Sequence, residues 1–528
     1  MNISVMPEMD DAQELTATLL ELLSADTVET DEEERRFASQ DLFFEGAVPL
    51  AVVSPRSTQQ VAGVARWCAE HGVAICPRGG GMSYTEAFQP QASRTIILDF
   101  ANLAAIRDIN AEDGNVTVEA GCTWATLDEA LAKHNMRARF WGPMSGGTAT
   151  IGGSLSQGSV TFGSGEAGAS ANAVKSFEIV TGTGAVLTTG SDGSAGTGPF
   201  NRNYGPDVTG IFANDAGALG IKTAATLEIE PRPELVNGLS FAFDDFSAMA
   251  DMLREVRLRR LASEFLAMDA DVARQNAGAP NLVEDAKAMM RIGLAAGSVT
   301  GALSRMARVA MAGRRFLDKA AYTAHFMVEA RDKHEMRSRL AAIKALAKGG
   351  DEIVNTVPLA TRAAPFPELP VTHPDGRRLL PIHGVMADSR IKAFHRDYCA
   401  LKASYAARMA DVGVTVAEFF AGIAGAGTLY EPVFYWPDSQ MLYHQRRTPS
   451  YLDGVAQSYD ENLAGRELVR EMVVAFVTLM RVHGSTHFQI GRLYPYADTR
   501  EGEAGELLRD LKARFDPAGI LNPGALGL

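Results

Sequence analysis

Near the start of the chain, continuous apolar runs that are typical of buried strands flank a stretch whose apolar residues have the spacing of a helix. AVPLAVVSP and VAICP are short apolar runs rich in β-branched residues, so both predict strands. Between them, STQQVAGVARWCAEHG places Val61, Val64 and Cys68 on one face of a helix that begins at Ser57 and ends at Gly72. This part of the chain therefore predicts a strand, a helix and a second strand.

The same alternation continues through the first half of the chain. RTIILDF and NVTVEAG predict two further strands, and TWATLDEALAKHN predicts a helix capped by Thr123. VKSFEIVTGTGAVLTTG predicts a hairpin, and ATLEIEP predicts a last strand that ends before Pro231 and Pro233. Strands alternating with helices predict an α+β or α/β domain.

The composition changes after these prolines. Residues 234–484 are richer in Met, Ala and Arg and poorer in glycine runs, which favours a second α+β domain. With 528 residues the chain is too long for a single ordinary core. We predict an N-terminal helical segment at 1–45, a first domain at 46–233, a second domain at 234–484, and a return to the first domain at 485–528.

Three glycine-rich stretches lie in the first half, at 79–81, at 142–168, and at Gly217 with Gly220. Glycine permits left-handed backbone and close approach of a ligand, and successive N–H groups form nests that bind anions. Tight turns alone would explain one such stretch, but three together favour a large phosphate-bearing ligand. There is no Walker loop, and no G-x-G-x-x-G closes a first strand with an acidic residue about twenty positions on, so the predicted nucleotide site is not of the Rossmann type.

Four stretches in this order resemble the vanillyl-alcohol oxidase / p-cresol methylhydroxylase family of flavoproteins. They are SPRSTQQVAGVARWCAEHGVAICPRGGGMSY, GGTATIGGSLSQG, DVTGIF with GALGIKTAATLEIEP, and FDPAGILNPG. The resemblance covers most of 45–232 and about 485–528. It implies an α+β fold in which a two-subdomain FAD-binding domain carries an α+β cap domain that shapes the substrate pocket.

The resemblance also implies which residues contact FAD. The first loop would wrap the pyrophosphate, the second would lie near the ribityl chain, and the third would lie by the adenine side. The implied residues are Pro77, Arg78, Gly79, Gly80, Gly81, Met82, Ser83, Pro143, Thr148, Ile151, Gly152, Gly153, Gly217, Gly220, Ile221 and Asn522.

Many members of this family attach the flavin covalently through a histidine two residues before a tyrosine. This chain has Met82 at that position, and the second glycine loop contains no cysteine that could serve instead. Some relatives attach the flavin from the cap domain, where His444, Tyr430 and Tyr435 are the candidates. We predict non-covalent FAD.

Four residues are candidates for catalysis. A tyrosine matching Tyr84 binds the substrate phenolate in phenol-oxidising relatives; the alternative is core packing. In HGSTHFQIGRLYPY, alternating residues predict a strand, and His487, Arg492 and Tyr494 could act on the substrate as a base and as anion-stabilising groups. Two departures weaken a direct copy of the phenol-oxidase mechanism, because Gly491 replaces a tyrosine and GPMSGG offers Met144 where those relatives carry an acidic residue.

The aromatic stretch TLYEPVFYWPD leaves two interpretations open. It could be a cap strand packed on the core, or a pocket wall with Tyr430 or Glu431 facing the flavin. The sequence alone slightly favours the first interpretation.

These observations predict an FAD-dependent enzyme that oxidises a CH–OH group or hydroxylated side chain, with a preference for an aromatic or phenolic alcohol. A D-2-hydroxy-acid dehydrogenase is an alternative, in which Arg492 would pair with a carboxylate, and a flavin-binding electron-transfer subunit is a second. The histidine motif of metal-dependent hydroxy-acid enzymes is not reproduced, so no metal is predicted. Oxygen, a cytochrome or a quinone could reoxidise the flavin.

Charge and composition bear on the location of the protein. The net charge of −14 argues against nucleic-acid binding, and four scattered cysteines suggest a reducing, cytoplasmic compartment. The N-terminus does not look like a signal peptide, and no apolar run is long enough to span a bilayer. Residues 286–317 are basic and apolar, which predicts peripheral contact with the inner face of the membrane, an oligomer interface or a packed cap helix. A homo-oligomer is expected.

Overall fold

The computed structural model describes residues 6–276, 320–353, 356–363, 365–449, 452 and 456–528. Within these ranges the chain forms three β-sheets, each with its own hydrophobic core. The sheets follow one another along the sequence, so each is built from one continuous part of the chain. The basic segment 286–317 lies outside the described residues.

The first sheet has the order β1-β2-β4-β3, with β2, β3 and β4 parallel and β1 antiparallel at the edge. As predicted, Ser57 caps the central helix by accepting the N–H of Gln60, and Gly72 ends it in the left-handed region. The elements are α1 Met6–Leu22, β1 Val28–Glu29, α2 Glu32–Ala38, β2 Ala51–Val53, α3 Thr58–His71, β3 Ala74–Arg78 and β4 Thr95–Asp99.

The second sheet is antiparallel, with the order β5-β6-β10-β8-β9 and β7 pairing with β10. Its helices carry the second glycine loop and pack on one face. The elements are β5 Ile106–Asn110, β6 Asn115–Glu119, α4 Trp124–Ala132, β7 Met136–Ala138, α5 Ile151–Gln157, α6 Ser164–Ala167, β8 Val174–Val180, β9 Val186–Thr188, α7 Val208–Phe212 and β10 Ile221–Pro231.

The third sheet, here called the cap sheet, is antiparallel and has the order β14-β11-β13-β12-β17-β18-β15, with β16 pairing with β18. Its elements are β11 Leu235–Phe243, α8 Phe246–Leu258, β12 Glu264–Asp269, α9 Ala270–Asn276, β13 Tyr322–Ala330, α10 Lys333–Leu346, β14 Gly350–Ile353, α11 Thr356–Ala363, β15 Arg378–Pro381, β16 Gly384–Met386, α12 Asp388–Ser404, α13 Ala406–Val412, β17 Thr415–Gly422, β18 Thr428–Trp436, α14 Leu442–Arg447 and α15 Leu463–Val482. One face packs on α8, α12 and α15, and the other face is turned towards the glycine loops.

The last helix, α16 Gly502–Phe515, precedes a tail that returns to the first sheet. Ile75 donates its N–H to the carbonyl of Ile520 and accepts the N–H of Asn522, at 2.8 Å in each case. The tail thereby extends the first sheet beside β3, next to the first glycine loop. No helix among the described ranges is long and apolar enough to cross a membrane.

A buried ion-pair network joins the second sheet to the cap sheet. The guanidinium of Arg137 donates two hydrogen bonds, of 2.6 and 2.7 Å, to the carboxylate of Glu329, and two, of 2.8 and 3.2 Å, to Glu230. Arg362 of α11 pairs with both Glu329 and Glu264. Because buried charges are tolerated only when they are paired, this network fixes how the cap sheet sits on the glycine loops.

Candidate active site

A cavity of about 690 Å³ lies between the three glycine loops and the free face of the cap sheet. Residues 77–84 and most of those between 143 and 164 line one side, and strands β12, β15, β17 and β18 line the other. This is the size and the position of a ligand site shared between two domains.

The glycines of the first loop are required by the protein as well as by any ligand. A Cβ atom on Gly79 would lie less than 3.0 Å from Thr150 Oγ1, and one on Gly80 would overlap the carbonyl of Thr148. Gly81 has φ of 67°, in the left-handed region. The first and second glycine loops therefore meet backbone to backbone, which forms one continuous wall of the cavity.

Arg78 supplies the positive charge on this wall. Its side chain is 7% exposed and forms a 2.6 Å ion pair with Asp99, yet its Nε and Nη2 atoms have no hydrogen-bond partner among the described residues. Buried donors normally have an acceptor, so two unpaired guanidinium donors beside bare glycine backbone indicate that an anionic ligand completes them. A pyrophosphate fits this arrangement.

Most of the residues expected to contact FAD line the cavity: Pro77, Arg78, Gly79, Gly80, Gly81, Met82, Ser83, Pro143, Gly152, Gly153, Gly217, Gly220 and Ile221. Thr148, Ile151 and Asn522 lie behind this wall. Asn522 donates hydrogen bonds from Nδ2 to the carbonyls of Ala87 and Ala216, at 2.7 and 2.6 Å. It thus ties the first glycine loop to the third rather than lining the cavity.

Several other lining groups carry no recognisable signal in the sequence. In the second loop these include Thr150, Ser154 and Gln157. Beside the third loop, Lys222 lines the cavity and pairs at 2.5 Å with Asp215, which also accepts the N–H of Gly217. Since both charges of this pair are buried, its main effect is to fix the turn at Gly217.

A polar cluster joins the first glycine loop to the cap sheet. The hydroxyl of Tyr84 donates to Glu431 Oε1 at 3.2 Å, and Gln489 Nε2 lies 3.5 Å from the Tyr84 oxygen. All three side chains line the cavity. Among the described residues no cation forms an ion pair with Glu431, so the carboxyl has only neutral hydrogen-bond donors.

This environment changes the protonation of the cluster. Burial raises the pKa of Glu431 to about 7, although the hydrogen bond from Tyr84 opposes that shift. Burial also raises the pKa of Tyr84 well above its usual value, so its hydroxyl remains a donor. Glu431 can therefore take up or release a proton near neutral pH.

Three of the four predicted catalytic residues lie outside the cavity lining. His487 stacks on Tyr494 with ring centroids 4.1 Å apart, and its Nδ1 lies 2.7 Å from the carbonyl of His383. Tyr494 accepts the backbone N–H of His383 at 2.8 Å. Arg492 donates to the carbonyls of Glu86 and Pro523 and to Asn522. The contacts of His487, Arg492 and Tyr494 hold in place the loop that carries Gln489.

That loop differs from the strand predicted over 486–490. Only Thr486 pairs with another strand residue, Val385, in an isolated bridge. Gln489 has φ of 47°, which breaks the alternation and directs its amide towards Tyr84. Gly491, where relatives carry a tyrosine, has φ of 55°, and a Cβ atom there would overlap the carbonyl of Thr85. Close packing against Thr85 therefore requires glycine at this position.

None of the candidates for covalent attachment from the cap lies in the cavity wall. His444 is buried between the backbone N–H of Met441 and the carbonyl of Leu42. The Tyr430 hydroxyl hydrogen-bonds with His395 Nδ1 at 2.9 Å in the core on the other face of the cap sheet, and Tyr435 is also buried outside the lining. Met82 lines the cavity and lies beside Tyr443, whose hydroxyl donates to the carbonyl of Gly81 at 2.8 Å.

The stretch around Glu431 combines both interpretations that the sequence left open. It forms β18, between β17 and the edge strand β15 of the cap sheet, and Tyr430 packs in the core while Glu431 faces the cavity. The basic side chains that line the cavity among the described residues are Arg78 and Lys222, both on the glycine-loop side, and His325. Burial lowers the pKa of His325 to about 4, so the cap side carries no cation at neutral pH.

Asp269, Asp271 and Glu418 form one group of carboxylates that is close enough to share a cation. Lys402 Nζ lies 2.6 Å from Glu418 and 3.5 Å from Asp271, so a lysine already supplies a cation to this group. None of these side chains lines the cavity.

Sequence comparison identifies the domains that form this site. Residues 49–190 match the FAD binding domain model, and residues 493–526 match the model of the C-terminal domain of FAD linked oxidases. The glycolate oxidase subunit GlcD of Bacillus subtilis is 28% identical over 213 residues, which are 40% of this chain and 43% of that protein. Mitochondrial D-2-hydroxyglutarate dehydrogenase of Bos taurus is 27% identical over 225 residues, 42% of this chain and 39% of that protein. The chain thus spans less than half the length of these curated relatives.

Solved structures share the whole fold. p-Cresol methylhydroxylase with bound substrate superposes with a TM-score of 0.68 at 17% identity, covering 98% of this chain and 97% of that one. 4-Ethylphenol oxidase from Gulosibacter chungangensis gives 0.65 at 16% identity, covering 100% and 98%. The resemblance expected from the sequence and the predicted fold class are confirmed. The chain carries the domains of FAD-linked oxidases, and its cofactor is FAD.

Replacing Gly80 by alanine should abolish FAD binding, because the added Cβ would separate the first and second glycine loops. Gly147→Ala is the matched control, since a Cβ there meets only the carbonyl of Phe366, at 3.6 Å. We expect less than about a tenth of the wild-type FAD content for Gly80→Ala, and near-normal content for the control, measured from the flavin absorbance of purified protein. Full FAD content in Gly80→Ala would contradict this account of the loop.

Proposed function

We propose that this protein is an FAD-dependent oxidoreductase that oxidises a hydroxylated, apolar substrate, with a preference for an aromatic or phenolic alcohol. The observation that carries this proposal is the cluster of Tyr84, Glu431 and Gln489 in a cavity whose cap side is otherwise mostly apolar. The cluster offers hydrogen bonds and a proton acceptor to one hydroxyl group, and apolar contacts to the remainder of the substrate.

The chain's own residues bind the substrate hydroxyl and move its proton. Glu431 accepts the proton of the hydroxyl, and Tyr84 holds the carboxyl and the substrate oxygen in position. Gln489 fixes Tyr84 in turn. FAD, when bound, supplies the acceptor for the hydride that leaves the substrate carbon with two electrons. The substrate thereby loses one hydride and one proton in total.

A hydroxy acid fits this cavity less well, although the sequence relatives named above include enzymes of glycolate and D-2-hydroxyglutarate. A buried substrate carboxylate needs a cation or several donors to offset its desolvation. Among the described residues, Arg492 has its donors bonded to the tail and to Glu86, and the cap side carries no cation. We therefore retain the D-2-hydroxy-acid reaction as the alternative.

We propose that His487, Arg492 and Tyr494 position the Gln489 loop, while Tyr84 and Glu431 contact the substrate. We also propose that FAD is held without a covalent bond, because Met82 stands in the first loop and His444, Tyr430 and Tyr435 lie outside the lining. Acid precipitation should then release the yellow flavin into the supernatant, and colour retained in the pellet would contradict this. The electron acceptor, homo-oligomerisation, and contact of 286–317 with the cytoplasmic face of a membrane remain predictions.

The function is tested by anaerobic reduction of the flavin in the isolated chain. We expect a 4-alkylphenol or vanillyl-type alcohol to bleach the flavin, and D-lactate to do so at least about tenfold more slowly. Bleaching by D-lactate alone would favour the hydroxy-acid alternative. Failure of both classes would favour an electron-transfer subunit.

The reduction rate should also depend on the protonation of Glu431. Because its pKa is raised to about 7, the base form prevails only above that pH, so the rate should rise through neutral pH and then level off. Glu431→Gln should slow reduction by about 100-fold or more and remove this dependence. Tyr430→Phe is the control, because Tyr430 precedes Glu431 in the chain but its hydroxyl hydrogen-bonds with His395 on the other face of the sheet. An unchanged pH profile in Glu431→Gln would refute the assigned role.

A further inference from the structure

The floor of the cavity on the cap side extends well beyond Glu431. The strand order β18-β17-β12-β13 places four neighbouring strands under the cavity. Cross-strand partners share a face of a sheet, and the registers pair Glu431 with Phe419 and Phe419 with Met268. A second row runs from Leu429 through Ala421 and Leu266 to His325.

Apart from Glu431 and His325 these side chains are apolar, and all seven line the cavity. Phe419, Met268, Leu429, Ala421 and Leu266 line it, and Phe419 and Ala421 are only partly buried because the cavity lies above them. Neighbouring strands are about 4.8 Å apart, so three spacings give a floor of about 14 Å from β18 to β13. A single phenol ring would cover only the part next to Glu431.

The polar side chains at the far end of the floor, His325 and Glu264, already have partners within the protein. Glu264 accepts hydrogen bonds from Arg362 at 3.2 Å and from the N–H of Gly163 at 3.3 Å. His325 bonds with the hydroxyls of Ser240 and Thr323, at 2.9 and 3.1 Å. Pro358, Leu369 and Val371 add further apolar lining from the segment after β14. Because His325 and Glu264 are already paired and the rest of this lining is apolar, this part of the cavity suits an apolar body.

We infer that the substrate is elongated: a hydroxyl-bearing head at Glu431 and Tyr84, followed by an apolar tail that lies across β17 and β12 towards β13. This inference rests on the proposed function and names the substrate class more closely. Ala421 and Leu266 are cross-strand neighbours at the centre of the floor, so their size and polarity determine which tails can bind.

A series of 4-alkylphenols from ethyl to hexyl tests the inference. Dissociation constants are read from the perturbation of the oxidised flavin spectrum and, where reduction occurs, from its saturation in anaerobic stopped flow. Each buried methylene should tighten binding about threefold to fourfold, which gives about a hundredfold between 4-ethylphenol and 4-hexylphenol. The limiting rate of reduction should change much less, since the tail contributes to binding and not to chemistry.

Two variants locate the tail. Ala421→Phe fills the centre of the floor and should reduce the ratio of the ethyl to the hexyl dissociation constant to below about ten. Leu266→Ser makes the floor polar without adding volume and should reduce the ratio in the same direction. Ala400→Phe adds the same ring at an exposed position of α12 and should retain the wild-type ratio.

The inference is overturned if the dissociation constants of the wild-type protein do not fall with chain length, or if Ala421→Phe leaves their ratio unchanged. These outcomes are separate from failure of the proposed function. If short and long phenols bind and reduce the flavin equally well, the proposed oxidoreductase function stands and the binding of an apolar tail is rejected. If binding tightens with chain length but no phenol reduces the flavin, the apolar binding site stands and the proposed oxidation is rejected.

Discussion

A buried carboxyl group that forms no ion pair among the described residues is the constraint on which the site depends. Glu431 is placed there by β18, and its described hydrogen-bond partner is the hydroxyl of Tyr84. A carboxylate in such surroundings is costly, so the group holds its proton to near neutral pH. An arginine beside it would keep the carboxyl ionised and remove its ability to exchange a proton in the working range. The apolar floor is therefore part of the chemistry as well as of substrate recognition.

The remainder of the fold holds this carboxyl against the cofactor loops. The Arg137–Glu329–Arg362 network fixes the cap sheet to the second sheet, and Asn522 joins the first and third glycine loops. The stacked pair of His487 and Tyr494 supports the loop of Gln489 from behind. Groups that resemble catalytic residues by type thus act, in our account, as supports for a site formed by other side chains.

The sequence predicts local features and cofactor loops well because their signals are local. Ser57 and Gly72 bound a helix through cap chemistry, and three glycine stretches mark loops that must approach one another or a ligand. The meeting of Tyr84 with Glu431 and Gln489 has no such local signal, because these residues lie 347 and 405 positions from Tyr84 in the sequence. Arg492 illustrates the converse: its charge suits an anionic substrate, but the tail and Glu86 engage its donors. Only the fold shows which polar groups are already satisfied.

The protonation of Glu431 is the most direct test of the account. The infrared difference spectrum between the wild-type protein and its Glu431→Gln variant, recorded across pH 5 to 9, isolates the carbonyl stretch of the protonated carboxyl. We expect that band at acidic pH and its loss with a midpoint near 7, as burial without a cation requires. A carboxylate ionised throughout this range, with a midpoint near the ordinary value of 4.5, would contradict the account.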